Sequence, residues 1–300
     1  NHMEIQSDSQ INVKPFSEAD KAACGRYAKI KERLLNRARQ DKAVQAVIAF
    51  GSSTRMSAPA DCFSDLDLMV VTEAPAQWLA DDVPQAFGPV SMAFAEPTFA
   101  GGQEWRLLYG ADLDLDLMVF SPEQFAEAVE TGFAGDMLRR GYRVLYDTCG
   151  LTEVAEQAAG ETVHQPEMTE RAFLRLTNDF YFHIIWAAKK LLQGELWSAA
   201  MNINGYQKKN LLRMIETYTR LTQGCDTWHD GRFVDRWADE SIRTALRGCF
   251  ARYNAGDIAA AIRATHMLFA RLAKSVAETQ GFRYPSDAEQ CAAAYLDAHF

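Results

Sequence analysis

Long apolar runs and paired cysteines are both missing from this 300-residue sequence. No apolar run approaches the roughly 18 residues of a membrane span. The first ten residues lack the apolar centre of a signal peptide, and Asn1-His2-Met3 has the pattern of a cloning remnant. The six cysteines form no Cys-x-x-Cys pair, which argues against a zinc site and a disulfide framework. We therefore expect a cytoplasmic protein with reduced thiols.

Basic residues are fewer than acidic ones, with 31 Lys and Arg against 40 Asp and Glu, so the formal net charge is −9. Residues 1–150 contain 14 Lys and Arg against 22 Asp and Glu, and residues 151–300 contain 17 against 18. An acidic surface repels nucleic acid and attracts cations. The composition therefore favours a polycationic small molecule as the partner. We expect a monomer that binds neither nucleic acid nor membranes.

Two aspartates at the start of an apolar run are the most informative feature of the chain. Asp65 directly precedes the run LDLMVVT at 66–72, and Asp67 is its second residue. The run reads as a buried strand. Side chains two residues apart in a strand point to the same face. Two carboxylates on one face repel each other unless a cation lies between them, and Mg²⁺ is the usual hard cation for oxygen ligands.

A glycine turn precedes this pair. Gly51 and Ser52 directly follow the apolar run AVQAVIAF, residues 43–50, which also reads as a strand. Such a turn can offer backbone N–H groups to phosphate. It lacks the G-x-x-x-x-G-K-[ST] form of a P-loop, so the glycine pattern alone is weak evidence. Together with the two aspartates it suggests metal-assisted chemistry on a nucleoside triphosphate.

A third carboxylate is expected from the segment LYGADLDLDLMVF. Asp112, Asp114 and Asp116 alternate with leucine, which predicts a strand with one acidic face. Alternating aspartates are usually solvated surface, but their pairing with the upstream motif favours a site. Asp116 leads into the apolar end of the strand and is the expected third carboxylate. Asp114 is the reserve and a candidate substrate contact, while Asp112 is assigned to the turn.

The coarse pattern predicts an α+β protein with two domains. Residues 1–150 are expected to form a mixed β-sheet with helices on one face, and residues 151–300 a bundle of long helices. The first domain is predicted to contain a helix at 17–40, short helices at 74–81 and 121–130, and strands near 44–50, 66–72, 89–95, 104–109, 113–120 and 142–147. The second is predicted to contain helical segments at 167–193, 195–223, 232–254 and 256–280.

One predicted helix of the second domain contains charged residues on an otherwise apolar and aromatic stretch. Asp179 lies in NDFYFHIIW, and Lys189 follows ten residues later on roughly the same face. A carboxylate there is costly unless it is paired. Asp179 either forms a structural pair with a lysine or arginine, or faces a cleft where it binds substrate or acts as a general base.

These segments resemble the aminoglycoside 6-adenylyltransferases, also called streptomycin adenylyltransferases, of the nucleotidyltransferase superfamily. The resemblance extends from about residue 45 to about 296, and its segments are GSSTRMSAPADCFSDLD, LYGADLDLDL, NDFYFHIIWAAKKLLQGEL, NLLRM, DGRFVDRW and YPSDAE. No single segment is specific, but their order and spacing are. Family members tend to have arginine directly after Gly-Ser, where this chain has Ser53 and, two residues on, Arg55.

The resemblance implies transfer of AMP from ATP to an aminoglycoside hydroxyl, with release of pyrophosphate. It also implies that the reaction needs Mg²⁺, and we expect two ions. It implies that Asp65, Asp67 and Asp116 are metal ligands, that Asp179 is a catalytic or substrate-binding residue, and that Gly51, Ser52, Arg55 and Lys189 bind the nucleotide. Two rival interpretations stay open. The acceptor could be another small molecule or a protein hydroxyl, or the chain could be a non-catalytic nucleotide-binding module.

Overall fold

The computed structural model describes residues 25–55, 60–160, 168–228 and 230–300. The chain divides into two compact units, Asn1–Gln165 and Pro166–Phe300. Both halves of the predicted α+β class are confirmed, since the first unit contains a sheet with helices and the second is helical. No helix in the described ranges combines the length and the apolar character needed to cross a membrane.

The first unit is built on a six-stranded mixed sheet. Its strands are β1 Val44–Phe50, β2 Leu66–Thr72, β3 Val90–Pro97, β4 Gln103–Tyr109, β5 Leu113–Phe120 and β6 Tyr142–Asp147. The strand order is β3-β4-β5-β2-β1-β6, and β2 and β5 pair in parallel while the other neighbours are antiparallel. The predicted strands are confirmed, and the parallel pair lies in the middle of the sheet.

Helices cover both faces of this sheet. They are α1 Ala28–Gln40, α2 Pro75–Trp78, α3 Val83–Ala86, α4 Pro122–Glu130, α5 Phe133–Leu138 and α6 Leu151–Gly160. One core contains Leu68 of β2 with Leu34 of α1. Another contains Met69 of β2 with Phe125 of α4. Leu68 and Met69 are adjacent in β2 and therefore point to opposite faces of the sheet. Helices α1 and α4 thus cover opposite faces, and the prediction of helices on one face was wrong.

The predicted boundaries of two elements also differ from the structure. Helix α1 begins at Ala28, and the segment 17–24 of the predicted helix lies outside the described residues. The stretch after residue 150, which the sequence assigned to the second domain, forms α6. Ala155 of α6 packs into the core of the first unit, and the division between the units falls at residues 165 and 166.

The second unit consists of helices around one apolar core. They are α7 Glu170–Leu192, α8 Leu196–Met201, α9 Gln207–Gln223, α10 Val234–Trp237, α11 Glu240–Cys249, α12 Ala255–Gln280 and α13 Ser286–His299. The predicted segment 195–223 is interrupted by a π-helical turn at Asn202–Tyr206. Helix α13 was missed in the sequence, although its Leu296 is buried in the same core as Phe180 of α7.

Candidate active site

The central strand pair of the sheet brings two of the predicted aspartates side by side. Asp67 of β2 and Asp116 of β5 are direct partners in the parallel register. Asp65 lies two residues before Asp67. The carboxylates of the three residues each offer an oxygen atom, and these atoms all lie within 4.8 Å of one another. The three side chains are half-buried, so the cluster is reachable from solvent.

Gly51 lets the backbone pass close to this cluster. It follows β1 with φ at +68°, in the left-handed region that favours glycine. A Cβ atom at this position would lie 1.9 Å from Oδ2 of Asp67. A larger residue would therefore displace the Asp67 carboxylate.

The turn after Gly51 contains the other predicted phosphate-binding residues. Ser52 is buried, and its hydroxyl donates to the carbonyl oxygen of Asp65 at 3.3 Å. The hydroxyl of Ser53 donates to the carbonyl oxygen of Phe50. The positive charge of Arg55 lies close enough to Asp67 to lower the pKa of its carboxyl group. The cluster thus has a cationic group beside it.

The cluster is electrostatically strained. Burial raises the pKa of Asp67 to about 8, with further contributions from the charges of Asp65 and Asp116. Burial likewise raises the pKa of Asp116 to about 6, and repulsion from Asp65 adds to the rise. Converging carboxylates that resist ionisation form a group whose charged state a cation would stabilise.

Two charged residues of β4 extend the site, and the sequence reasoning missed both. Arg106 is the cross-strand partner of Asp116, and its guanidinium donates to Oδ2 of that residue. Glu104 is buried, and burial raises the pKa of its carboxyl group to about 7. The signal in the sequence was the alternation in QEWRLLY, which places Glu104 and Arg106 on one face of β4.

The remaining aspartates of β5 and its turn lie outside the cluster. Asp114 is exposed, and its backbone N–H donates to the hydroxyl of Tyr27 at 3.1 Å. Asp112 lies in the turn before β5 and pairs with Arg26. Strand alternation puts Asp114 on the same face as Asp116, one residue pair further from the apolar end of the strand.

In the second unit, Asp179 is the acceptor of a hydrogen-bond cluster. The Tyr206 hydroxyl lies 2.9 Å from both of its carboxylate oxygens, and His183 Nδ1 lies 2.8 Å from Oδ1. The side-chain amide of Asn210 donates to Oδ1 at 3.3 Å. None of these three partners is a lysine or arginine, so no permanent ion pair with them neutralises the Asp179 carboxylate.

Asp179 also lines an open pocket of about 740 Å³ in this unit. The wall of the pocket combines apolar side chains with polar and charged groups, namely Leu174, Arg175, Asn178, Asp179, Tyr181, Phe182, Ile185, Ala288 and Cys291. The exposed ring of Phe182 is one of the apolar surfaces. Such a wall suits an amphipathic ligand that carries charge.

Lys189 lies near the end of α7 and is exposed. Its ammonium group is 5.7 Å from the centre of the Tyr295 ring on α13. The neighbouring Lys190 pairs instead with Glu195 at 2.7 Å. Of the two lysines, Lys189 is therefore the one whose described contacts include no carboxylate.

A mixed sheet with a Gly-Ser turn and three converging carboxylates defines a nucleotidyltransferase type of site. A sequence model of the streptomycin adenylyltransferase family matches residues 26–299. The aminoglycoside 6-adenylyltransferase of Campylobacter jejuni is 23% identical over 262 residues, covering 84% of this chain and 88% of that protein. The chain belongs to the streptomycin adenylyltransferase family, and the resemblance seen in the sequence is confirmed. It is an enzyme, a nucleotidyltransferase of the aminoglycoside adenylyltransferase type.

Two solved structures match this chain at lower sequence identity than the Campylobacter jejuni protein does. An aminoglycoside 6-adenyltransferase from Bacillus subtilis is 16% identical, with 90% of this chain and 96% of that chain covered and a TM-score of 0.43. A nucleotidyltransferase-like protein from Exiguobacterium sibiricum is 12% identical, with coverages of 85% and 78% and a TM-score of 0.36.

Proposed function

We propose that the enzyme transfers AMP from ATP to a hydroxyl group of a streptomycin-like aminoglycoside and releases pyrophosphate. The observation that supports this most directly is the convergence of three carboxylates on adjacent strands, with ligand atoms within 4.8 Å. In the reaction, the acceptor oxygen forms a bond to the α-phosphorus, and the bond from that phosphorus to the bridging oxygen breaks. Pyrophosphate leaves, and the hydroxyl proton passes to a base.

The donor set fits Mg²⁺. Carboxylate oxygens are the ligands that this hard cation prefers, and the raised pKa values of Asp67 and Asp116 reflect burial and then repulsion between carboxylates, both of which a bound cation would offset. Asp65, Asp67 and Asp116 would hold the ion or ions. An Mg²⁺ ion held by these residues would neutralise charge on the phosphate groups and help to position them.

The other residues of the first unit are proposed to position the triphosphate. Gly51 keeps the backbone close to Asp67, and the adjacent Ser52 holds the turn against the start of β2. Arg55 contributes a fixed positive charge beside the cluster, in place of the arginine that family members carry directly after Gly-Ser. An arginine fork can bind two phosphate oxygens at once.

Asp179 and Lys189 are proposed to act on the two substrates from the helical unit. The Asp179 carboxylate is oriented by Tyr206 and Asn210 without neutralisation by them, which leaves its charge available for a cationic acceptor. The Lys189 ammonium is a point charge that can bind a phosphate.

The experiment that tests this function measures pyrophosphate release from ATP with streptomycin and with a panel of other hydroxyl compounds. A product heavier than its acceptor by one AMP group would identify the acceptor. EDTA should stop the reaction. If streptomycin fails and another compound reacts, the nucleotidyl transfer stands and the acceptor class changes. If no acceptor yields product, the proposed reaction is wrong.

A matched pair of variants tests the third carboxylate. Asp116→Asn should reduce turnover at least 100-fold, because it removes one proposed metal ligand. Asp114→Asn, on the same face of the same strand but exposed, should retain most of the turnover. The reverse order of effects would assign the third carboxylate to Asp114.

A further inference from the structure

The guanidinium of Arg106 lies among three carboxylates on one face of the sheet. Its Nε donates to Glu96 Oε1 at 2.7 Å, and its Nη1 lies 3.4 Å from Glu104 Oε1. The same Nη1 donates to Oδ2 of Asp116. The residue therefore joins one carboxylate of the proposed metal cluster to two carboxylates outside it.

Sheet register fixes this arrangement. Arg106 is the antiparallel partner of Asp116 on one side and of Phe94 in β3 on the other. Its side chain shares a face with both neighbours and spans from the edge strand β3 towards the centre of the sheet. Glu96 lies two residues from Phe94 in β3 and contacts the Arg106 guanidinium from the edge of the sheet.

Charge balance decides how Arg106 can affect a cation nearby. A lone guanidinium beside the cluster would repel a divalent ion. Here Glu96 contacts the guanidinium and offsets its charge, and Glu104 lies beside the same group. The contact with Asp116 uses Oδ2, which leaves Oδ1 for another partner. The geometry is that of a group that fixes the direction of a carboxylate without consuming both of its oxygens.

We propose that Arg106 is a positioning residue that orients Asp116 for binding a divalent cation. Partners that hydrogen-bond to a ligating carboxylate orient it, and losing them typically weakens metal affinity about 10- to 100-fold. The inference rests on the proposed metal role of Asp65, Asp67 and Asp116. It assigns to Arg106, with Glu96 and Glu104 as its support, a function that needs no contact with either substrate.

The test is direct Mn²⁺ binding, measured by the electron paramagnetic resonance signal of free Mn²⁺ without nucleotide or acceptor. R106Q should raise the dissociation constant about 10-fold. R106K keeps the charge but cannot reproduce the fork that joins Glu96 to Asp116, so it should bind Mn²⁺ more weakly than the wild type and more tightly than R106Q. R37Q is the matched control. Arg37 lies on α1 beside the ring of Trp78, which belongs to the core that contains Leu34 and Leu68, on the opposite face of the sheet from Asp116. It should bind Mn²⁺ like the wild type.

Each outcome decides whether Arg106 orients Asp116 for the metal or competes with the metal for this carboxylate. If Arg106 instead competes with the metal for Asp116, R106Q will bind Mn²⁺ more tightly, and this result or an unchanged affinity overturns the inference. Thermal melts in EDTA show whether R106Q is folded, and if it is not, R106K decides alone by the same criterion. If the wild type binds no more Mn²⁺ than D67N, the proposed metal site itself is wrong, which a failure of Arg106 alone would not show.

Discussion

Asp67→Asn should make the metal-free protein more stable, by an amount that depends on pH. In the folded protein the pKa of Asp67 is raised from 3.8 to about 8, chiefly by burial and then by the charges of Asp65 and Asp116. A group whose pKa is raised on folding contributes stability below its unfolded pKa and loses it as pH rises through the folded pKa. The wild type should therefore lose stability between about pH 4 and pH 8, and asparagine removes this loss.

The size of the effect can be worked from the shift. One pKa unit corresponds to about 1.4 kcal/mol, so the full shift sets an upper limit of about 6 kcal/mol. Asp67 is only half-buried, and solvent screening reduces this figure. We expect the variant to gain about 2 kcal/mol on the wild type between pH 5 and pH 8. For a unit of this size that corresponds to a difference in Tm of about 4–8 °C.

The assay is a set of thermal melts in EDTA at pH 5, 6, 7, 8 and 9 for the wild type and the variant. The difference in Tm should grow up to about pH 8 and then level off. Asp81→Asn, which removes an aspartate elsewhere in the same unit, controls for the loss of a carboxylate outside the cluster. A difference between wild type and Asp67→Asn that is constant across this range would refute the electrostatic reasoning, even if the variant were inactive.

Three further predictions concern the proposed substrates and ligands. Asp65→Asn should abolish nucleotidyl transfer with little loss of stability in thermal melts, and a variant that keeps most of its turnover would remove Asp65 from the site. Lys189→Met should weaken ATP binding about 10-fold and spare acceptor binding in calorimetric titrations, because an ammonium acts on phosphate as a point charge; equal losses for both ligands would contradict its role. Asp179→Asn should raise the dissociation constant of the acceptor and flatten its dependence on salt, since exposed charges are screened over roughly 10 Å at 0.1 M ionic strength. An acceptor affinity insensitive to both salt and this substitution would point to an uncharged acceptor.

The strands and the aspartates near their ends could be predicted from the sequence because both signals are local. Apolar runs and period-2 alternation identify β2 and β5, and the position of each aspartate within its run is fixed by the sequence itself. The contact between Asp67 and Asp116 is different. It requires the parallel pairing of β2 and β5, two strands that are not consecutive in the chain, and the spacing of the residues does not specify that pairing.

Arg106 and Glu104 illustrate the same limit on the neighbouring strand. Alternation places them on one face of β4, but a shift of one residue in register would turn both away from Asp116. Register depends on the pairing of β4 with two partners, including the turn at Gly110 that joins it to β5. The alternation of Glu104 and Arg106 with apolar residues in QEWRLLY was the only local sign, and an edge strand would have produced the same pattern.

The contact between Asp179 and Tyr206 lies beyond any periodicity argument. The segment 195–223 reads as one helix, and counting 3.6 residues per turn along it assigns a face to every residue. The π-helical turn at Asn202–Tyr206 holds an additional residue, which rotates the later part of the segment by about 100° relative to that count. Such a turn also needs a partner for backbone groups that regular pairing would have satisfied. Lys208 donates to the carbonyl oxygen of Ile203 within this turn at 2.7 Å, which stabilises the irregular backbone there. The orientation of Tyr206 towards Asp179 therefore depends on a backbone irregularity and on a nearby lysine, and neither is encoded in the pattern of apolar residues.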